Sequence, residues 1–355
     1  MRLLRVRVRV ATADCGAGAA YQGDTPGTED KTRMNQRSAA QLIVEPSPHV
    51  TAGNSVRGMM RDVLIALVPA GAGALLFFGW RSGLVIAVCG AAAVLAEHLC
   101  NLLRRRQSTV GDLSALVTGV LLAFTLPAGI PLWMAALGAA VGVVFAKQLF
   151  GGLGFNIWNP ALVGRAFLQI SFQQQLSRFA VDGVGSASVN GVSGATPLGI
   201  LKHFPEQAAA IPPLPVLAFG WHWSSLGESS EVLLVLGFLY LMARRQVMPL
   251  IPLTFIGTVA AVTAVVAPAH LGVYLLSGGL FLGALYMATD PVTSPVSPRG
   301  KLLFGVGCGL LTALIRFWGA YPEGVCFSIL IMNTMVPLID RVTVRRPFGV
   351  GRRAS

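Results

Sequence analysis

The sequence predicts an all-α polytopic membrane protein, and three observations lead to this fold class. Of the 355 residues, 54% are hydrophobic and only 12% are charged, whereas about a quarter of the residues in a typical soluble domain are charged. The mean hydropathy of the chain is +0.66. The hydrophobic residues also gather into about ten runs, most of which approach the roughly 20 residues that a helix needs to cross a bilayer.

Each apolar run is a predicted transmembrane helix. The runs at 157–172 and 231–243 are short for a straight crossing, so we expect their helices to be interrupted or to end elsewhere. The ten predicted helices cover residues 62–80, 83–102, 112–127, 131–149, 157–172, 231–243, 248–267, 271–288, 302–319 and 324–340.

A polar insertion at residues 173–230 separates five predicted helices from five others. Because five is an odd number, the second group enters the membrane with the opposite polarity to the first, which is the geometry of two five-helix inverted repeats. Such repeats usually form a site or a pathway where they meet. The predicted domains are a tail at 1–56, a first repeat at 57–172, the insertion at 173–230, a second repeat at 231–341 and a basic tail at 342–355.

Residues 1–33 differ in composition from the rest of the chain, since they combine alternating Arg and Val with a polar stretch. Met34 opens a segment that would make a normal start. We therefore expect residues 1–33 to be either a mis-called start or a disordered tail.

Clusters of arginine predict the orientation in the membrane. They lie before the first predicted helix, after the second, after the sixth and in the C-terminal tail. An even number of predicted helices separates each cluster from the next, so all of them fall on one side, which the positive-inside rule assigns to the cytoplasm. Both termini are then predicted to be cytoplasmic, and residues 173–230 are predicted to lie on the opposite side.

The net charge of +12 does not indicate a nucleic-acid-binding protein, because the basic residues occur in short clusters between apolar runs. The five cysteines include no C-x-x-C pair and mostly lie inside apolar runs. They are therefore predicted to be small core residues and not a disulfide framework or a metal site.

The insertion contains a stretch of small and polar residues that ends in Ala195-Thr196-Pro197-Leu198. One interpretation is an ordinary loop whose turns need glycine, serine and proline. The other is a modified hydroxyl, because small neighbours leave the Thr196 hydroxyl accessible and Pro197 fixes the backbone beside it. Composition alone leaves both interpretations open.

Several motifs resemble those of the RnfD and NqrB family. Ser193-Gly194-Ala195-Thr196 is similar to the sequence at which that family attaches FMN, through its phosphate, to the threonine hydroxyl. Residues 151–167 resemble the family pattern G-G-x-G-x-N-x-x-N-P-A-x-x-G-R-A-F. Further likeness lies in Ala288-Thr289-Asp290-Pro291-Val292, Arg299-Gly300-Lys301, Tyr321-Pro322-Glu323-Gly324 and Pro337-Leu338-Ile339-Asp340.

The resemblance, which favours the RnfD branch, implies a membrane component of an NADH:ferredoxin oxidoreductase complex that couples electron flow to Na⁺ or H⁺ movement. It implies covalent FMN on Thr196 and leaves open a second, non-covalent flavin. The implied partners are the other membrane, iron–sulfur, NADH-binding and flavin subunits, together with a flavin transferase and membrane lipid. The implied location is the bacterial inner membrane, with residues 173–230 in the periplasm.

Two other functions stay open at this point. An inverted repeat also suits a channel or a secondary transporter for a small solute, and the chain could be a passive scaffold for other subunits. The sequence contains neither a C-x-x-C ferredoxin pattern nor a G-x-G-x-x-G nucleotide fingerprint. NADH oxidation and iron–sulfur chemistry are therefore expected of partner subunits.

The candidate cofactor-binding residues are Thr196 with its neighbours Ser193, Gly194 and Ala195, and also Asn159, Arg165 and Asp290. Asn159-Pro160 reads first as a helix N-cap followed by a first-turn proline, and a ligand role is compatible with that. Asp290 stands at an expected helix break, where a carboxylate could serve a cation or a flavin. Charged residues near membrane depth are further candidates, although some could merely lie at the interface: Glu97, Asp112, Lys147, Arg316 and Asp340.

Overall fold

The computed structural model describes residues 55–106, 109–176, 196–204, 206, 211–220, 224–228 and 230–343. All of them belong to one compact unit that spans residues 54–355. This described part of the chain consists of helices and their connections, without a β-strand. The all-α class predicted from the sequence is therefore confirmed.

The helices follow the predicted division into two groups of five. The first group is α1 (Val56–Phe78), α2 (Trp80–Leu103), α3 (Ser114–Phe124), α4 (Leu132–Val141, continued by a π-helix at Gly142–Gln148) and α5 (Pro160–Ser171). The insertion contributes the short helices α6 (Pro197–His203) and α7 (Leu214–Phe219). The second group is α8 (Glu231–Ala243), α9 (Leu250–Val266), α10 (Leu271–Leu275) with α11 (Leu280–Leu282, continued by a π-helix at Gly283–Met287), α12 (Pro298–Trp318) and α13 (Val325–Thr343).

Each of the ten predicted runs coincides with a helical segment, but the segments differ in length. Helices α1, α2, α12 and α13 are long and apolar enough to cross a membrane. The pair Pro268–Leu275 and Leu280–Met287 is bent by 60° and meets the same test only when the two pieces are taken together. The runs expected to be short are α5 with 12 residues and α8 with 13.

Three helices begin at a polar cap followed by proline. Asn159, Thr196 and Ser297 each accept a hydrogen bond from a backbone N–H of the first turn that follows. Proline at the next position has no N–H to leave unpaired, and its fixed φ suits a first turn. These caps set the starts of α5, α6 and α12.

Left-handed residues precede α3 in the first group and α11, the second piece of the interrupted helix, in the second group. Leu113 has φ 65° directly before α3, and Gly278 and Gly279 have φ 72° and 67° directly before α11. Backbone groups are left without helical partners at such an interruption and must find others nearby. The two interruptions are where the charged side chains described below gather.

The two groups of helices meet along α1 and α8, which pack against each other. The Tyr286 hydroxyl lies between them, 3.2 Å from the Ala66 carbonyl oxygen of α1 and 2.9 Å from the Leu234 carbonyl oxygen of α8. A side chain at Gly237 would collide with the Ala66 carbonyl. Small residues therefore allow the close backbone approach that is common between membrane helices.

Candidate functional site

The chemically interesting side chains lie at two opposite ends of α12. This helix has 21 residues, which corresponds to a length of about 31 Å. We call the end near its start the Lys147 end, which comprises Glu97, residues 109–114, 147–159 and 286–297. We call the other the Thr196 end, which comprises Arg165 and residues 196–204, 224–231, 274–279 and 316–324.

Thr196 is the N-cap of α6, and its side chain is held in a defined position. The hydroxyl oxygen accepts a hydrogen bond from the Gly199 N–H at 3.2 Å, and only 6% of the residue is exposed. No described residue accepts a hydrogen bond from this hydroxyl. Esterification of the oxygen would therefore remove no hydrogen bond that the hydroxyl donates within the described part of the chain.

Lys202, one turn and a half after Thr196, fixes α6 to the end of α12. Its ammonium donates to the carbonyl oxygens of Ile315 at 3.2 Å, Arg316 at 2.9 Å and Tyr321 at 2.9 Å. Burial lowers the pKa of this ammonium. The cation also lies at the negative end of the α12 dipole, which favours it there.

Arg316 serves the interruption between α10 and α11. Its guanidinium donates to the carbonyl oxygens of Tyr274 at 2.5 Å, Ser277 at 3.0 Å and Gly278 at 3.1 Å. These carbonyls are the ones that the helix break leaves without intrahelical partners. Arg316 was named from the sequence as a candidate functional residue. In the structure it caps the carbonyl oxygens at the helix break.

Arg316 belongs to a largely buried group of ionisable side chains. The other members are Arg165, Glu228 and Glu323. Nη2 of Arg165 is 3.1 Å from Oε2 of Glu323. Glu228 is 6% exposed and stands in the connection that precedes α8. Burial and the neighbouring Glu323 raise the pKa of Glu228 to about 8, against the opposing influence of Arg165 and Arg316.

At the Lys147 end, Glu97 and Lys147 form a buried ion pair with a distance of 2.8 Å between Nζ and Oε1. The same carboxyl oxygen accepts from the Thr109 hydroxyl at 2.8 Å and from Nε2 of Gln148 at 3.0 Å. Lys147 also donates to the Ser114 hydroxyl at 2.5 Å. Glu97 is fully buried, so it does not reach out to the interface as a residue near a helix end could.

A small cavity at the Lys147 end brings Asn159 and Asp290 together with Lys147. It encloses about 80 Å³, which is far below the roughly 300 Å³ at which ligand pockets begin. Asn159 caps α5 through Ala161, as predicted, and its amide donates to the Met287 carbonyl at 3.2 Å. Asp290 accepts from the Val292 N–H and the Thr293 hydroxyl, each at 3.2 Å.

The predicted site residues therefore divide between the two ends. Asn159 and Asp290 share one cavity, whereas Thr196 and Arg165 lie at the opposite end. The predicted residues Ser193, Gly194 and Ala195 lie outside the described residues. Among the described residues, no group of three or more His, Cys, Asp or Glu side chains could hold a metal ion.

Sequence reasoning missed three features of the Thr196 end, namely Lys202, Glu228 and the pairing of Glu323 with Arg165. Glu228 carried a signal that could have been used, because it lies three residues before the apolar run at 231–243, close to membrane depth, where a carboxylate is costly. Glu323 stands in the Tyr-Pro-Glu-Gly motif, but nothing in a linear pattern indicates that its partner is 158 residues away.

Comparison with known proteins matches residues 43–349 to the model of the NQR2, RnfD, RnfE family. The chain belongs to the NQR2, RnfD, RnfE family. The match spans both groups of helices and the insertion that bears Thr196, so the resemblance seen in separate motifs extends along nearly the whole chain.

Three relatives of the chain are each named as a component of a redox complex that moves ions. The chain is 39% identical to a subunit of the Na(+)-translocating ferredoxin:NAD(+) oxidoreductase complex of Acetobacterium woodii, over 87% of this chain and 96% of that protein. It is 39% identical to a subunit of the proton-translocating ferredoxin:NAD(+) oxidoreductase complex of Clostridium ljungdahlii, over 88% and 97%. It is 41% identical to a subunit of the ion-translocating oxidoreductase complex of Stutzerimonas stutzeri, over 85% and 94%.

Proposed function

We propose that this chain is the integral membrane RnfD component of an ion-translocating ferredoxin:NAD⁺ oxidoreductase complex, with FMN joined covalently to Thr196. The observation that carries the proposal is the Thr196 hydroxyl, which donates no hydrogen bond to a described residue and stands at the start of a helix held in place by Lys202. The names of the relatives and the family match support the role in the complex.

Attachment of FMN at Thr196 would be a phosphate ester of the side-chain hydroxyl. The bond would form between the threonine oxygen and the phosphorus of the flavin donor used by the transferase. The bond from that phosphorus to the leaving oxygen of the donor would break, and the hydroxyl proton would pass to the leaving group. The N–H of Gly199, at 3.2 Å, would face an ester oxygen instead of a hydroxyl oxygen. When bound, FMN supplies a carrier for one or two electrons.

The burial of Thr196 sets the order of events. With only 6% of the residue exposed, a transferase cannot reach the hydroxyl while α6 is docked against Ile315, Arg316 and Tyr321. Attachment of the flavin must therefore precede this docking. Lys202 then closes the segment onto the bundle, and the covalent link keeps the cofactor at the Thr196 end.

The proposal extends to location and partners. We place the protein in the bacterial inner membrane, with both termini in the cytoplasm and the Thr196 end facing the periplasm, because of the arginine distribution. NADH oxidation and iron–sulfur chemistry are assigned to partner subunits, and attachment of FMN to a flavin transferase. The cavity of about 80 Å³ would have to widen before it could receive a second flavin.

The identity of the transported ion does not follow from these relatives. A relative named for Na⁺ and a relative named for protons are each 39% identical to this chain. We therefore propose coupling to Na⁺ or H⁺ without a choice between them.

The alternative function is an inverted-repeat channel or secondary transporter without a redox role. The 60° break between α10 and α11 favours it, because interrupted helices commonly form the sites of transporters. A passive scaffold would instead leave electron transfer intact when Thr196 loses its hydroxyl.

Flavin fluorescence of the denatured protein in a gel distinguishes these functions, provided that the chain is expressed with its flavin transferase. Wild type should give a fluorescent band, and Thr196→Ala should give none. Thr196→Asn is the sharper variant, because asparagine is also a good N-cap but offers no hydroxyl to esterify. Thr258→Ala, in the middle of α9, should keep the band, and a colourless wild type would favour the transporter.

A further inference from the structure

The broken segment between α10 and α11 is enclosed by the guanidinium of Arg316 and the carboxyl of Glu228. Gly278 and Gly279, both with positive φ, turn the chain between the two pieces. A Cβ at Gly278 would come within 2.9 Å of Nη2 of Arg316, and a Cβ at Gly279 would come within 2.6 Å of Oε1 of Glu228. The guanidinium and the carboxyl therefore stand against adjacent residues of the same break.

Each of these side chains stands at the end of a helical piece that would suit its charged form. Arg316 donates to one carbonyl oxygen in the last turn of α10 and to two carbonyl oxygens just after it. Glu228 stands beside Gly279, which directly precedes the N-terminus of α11 and its π-helical continuation. A negative charge is favoured at a helix N-terminus and a positive charge at a helix C-terminus.

The cluster contains buried donors that have no acceptor. Nη1 of Arg165 and Nε of Arg316 are buried, and neither has a hydrogen-bond partner among the described residues. Buried polar groups are almost always hydrogen-bonded, and an unpaired one needs an explanation. Glu323 already pairs with Nη2 of Arg165, whereas the Glu228 carboxyl feels both guanidinium groups electrostatically and is the group that could answer their unpaired nitrogens.

We propose that Glu228 is a proton-binding site at this helix break. In the arrangement described here the carboxyl holds a proton. Release breaks its O–H bond and gives the proton to water at the Thr196 end. The resulting carboxylate is then held by the unused nitrogens of Arg165 and Arg316. This assignment does not rest on the flavin at Thr196.

The surroundings of Glu228 support its neutral form. Burial and the carboxylate of Glu323 raise its pKa to about 8, whereas Arg165 and Arg316 act in the other direction. Glu231, three residues later and also buried, is a further acid that faces it. A proton is therefore exchanged close to physiological pH, where a single solvated carboxyl would be fully ionised.

The other elements packed against residues 226–228 add no competing acid or base. They are α1, α3 and α11. Neither α3 nor α11 contains an ionisable side chain, and the Tyr286 hydroxyl in the π-helical continuation of α11 is engaged by two carbonyl oxygens. The charged residues of α1 are confined to its first seven positions, where Asp62 is paired with Arg244 at 3.3 Å.

Infrared difference spectroscopy of the purified complex, titrated with alkali, tests the proposal. The C=O stretch of a protonated carboxyl should disappear in wild type as the pH rises through about 8. This band should be missing from Glu228→Gln and unchanged in Glu206→Gln, which removes an exposed carboxyl of the same insertion. If Glu228→Gln shows the same loss of the band as wild type, or if wild type shows no such loss, the assignment is wrong.

A second variant covers the case in which Glu228→Gln does not fold. Glu228→Asp keeps a titratable carboxyl but shortens its reach to Arg165 and Arg316. The C=O band should then move in frequency, and its titration midpoint should change. A band with the frequency and midpoint of wild type would overturn the assignment.

Discussion

The two ends of the bundle use a basic residue of the fourth helix in each group, but they surround it differently. Lys147 of α4 reaches Ser114, the first residue of α3, and Arg316 of α12 reaches Gly278, just before α11. Lys147 also has a carboxylate at 2.8 Å. Arg316 has only carbonyl oxygens as direct partners, and one of its nitrogens is unpaired among the described residues.

This difference shows that a basic residue of the fourth helix in each group can serve two different tasks. At the Lys147 end a direct ion pair locks the start of α3. At the Thr196 end the corresponding cation caps an interrupted helix, and the neighbouring carboxyl of Glu228 is free to change its charge. The first arrangement is suited to rigidity, and the second to exchange of a proton.

The largest effect is expected when the direct ion pair is broken. Lys147→Met leaves the carboxylate of Glu97 buried without its cation, and removal of one partner of a buried pair typically costs about 3–5 kcal/mol. We expect the free energy of unfolding in detergent to fall by this amount. Arg244→Met is the control, because that side chain is 52% exposed and the carboxylate of Asp62 keeps its hydrogen bonds from Tyr240 and Gln246, so a smaller loss is expected. Equal losses for the two variants would contradict the comparison.

An intermediate effect is expected at the helix break of the Thr196 end. Gly278→Ala places a Cβ at φ 72°, where it would also meet the side chains of Leu198 and Arg316. We expect a loss of about 1–3 kcal/mol and faster proteolysis of the segment that contains α6.

Gly111→Ala is the control at the Lys147 end, because a Cβ there meets nothing within 4 Å. It should change neither the free energy of unfolding nor the rate of proteolysis. If the two glycine variants behave alike, the packing of Leu198 of α6 against Gly278 does not stabilise the segment that contains α6.

The smallest effect is expected from Lys202→Met, which removes the hydrogen bonds between α6 and the end of α12. The free energy of unfolding of the bundle should fall by only about 0.5–1.5 kcal/mol, because Lys202 is partly exposed and water can replace it at the carbonyl oxygens. The anisotropy of the flavin fluorescence should fall, because α6 is released while Thr196 stays modified. Lys202→Arg should restore part of the anisotropy. If Lys202→Met has the same anisotropy as wild type, Lys202 does not hold α6 in position.

The local features of the fold could be predicted from the sequence because they depend on neighbouring residues. The apolar runs indicated the ten helical segments, and the pairs Asn159-Pro160, Thr196-Pro197 and Ser297-Pro298 mark where three helices begin. The division into two groups also followed, since it required only a count of the runs on either side of the insertion.

The pairing of charges could not be predicted, because it depends on how distant helices pack. Glu97 and Lys147 are 50 residues apart in the chain, and Arg165 and Glu323 are 158 residues apart. Asp290 and Asn159 were predicted from the sequence as separate candidate cofactor-binding residues, and in the structure both line one cavity. The predicted inverted repeat indicated a site where the halves meet, but Glu97 and Lys147 pair within the first group, and no linear pattern indicated the partners.

The most direct test of the proposed function is mass spectrometry of the peptide that contains Thr196, taken from the wild-type complex produced with its flavin transferase. We predict that this threonine carries the mass of FMN less one water, and that Thr196→Asn gives a folded protein without it. An unmodified Thr196 in the wild-type peptide would contradict the proposed function.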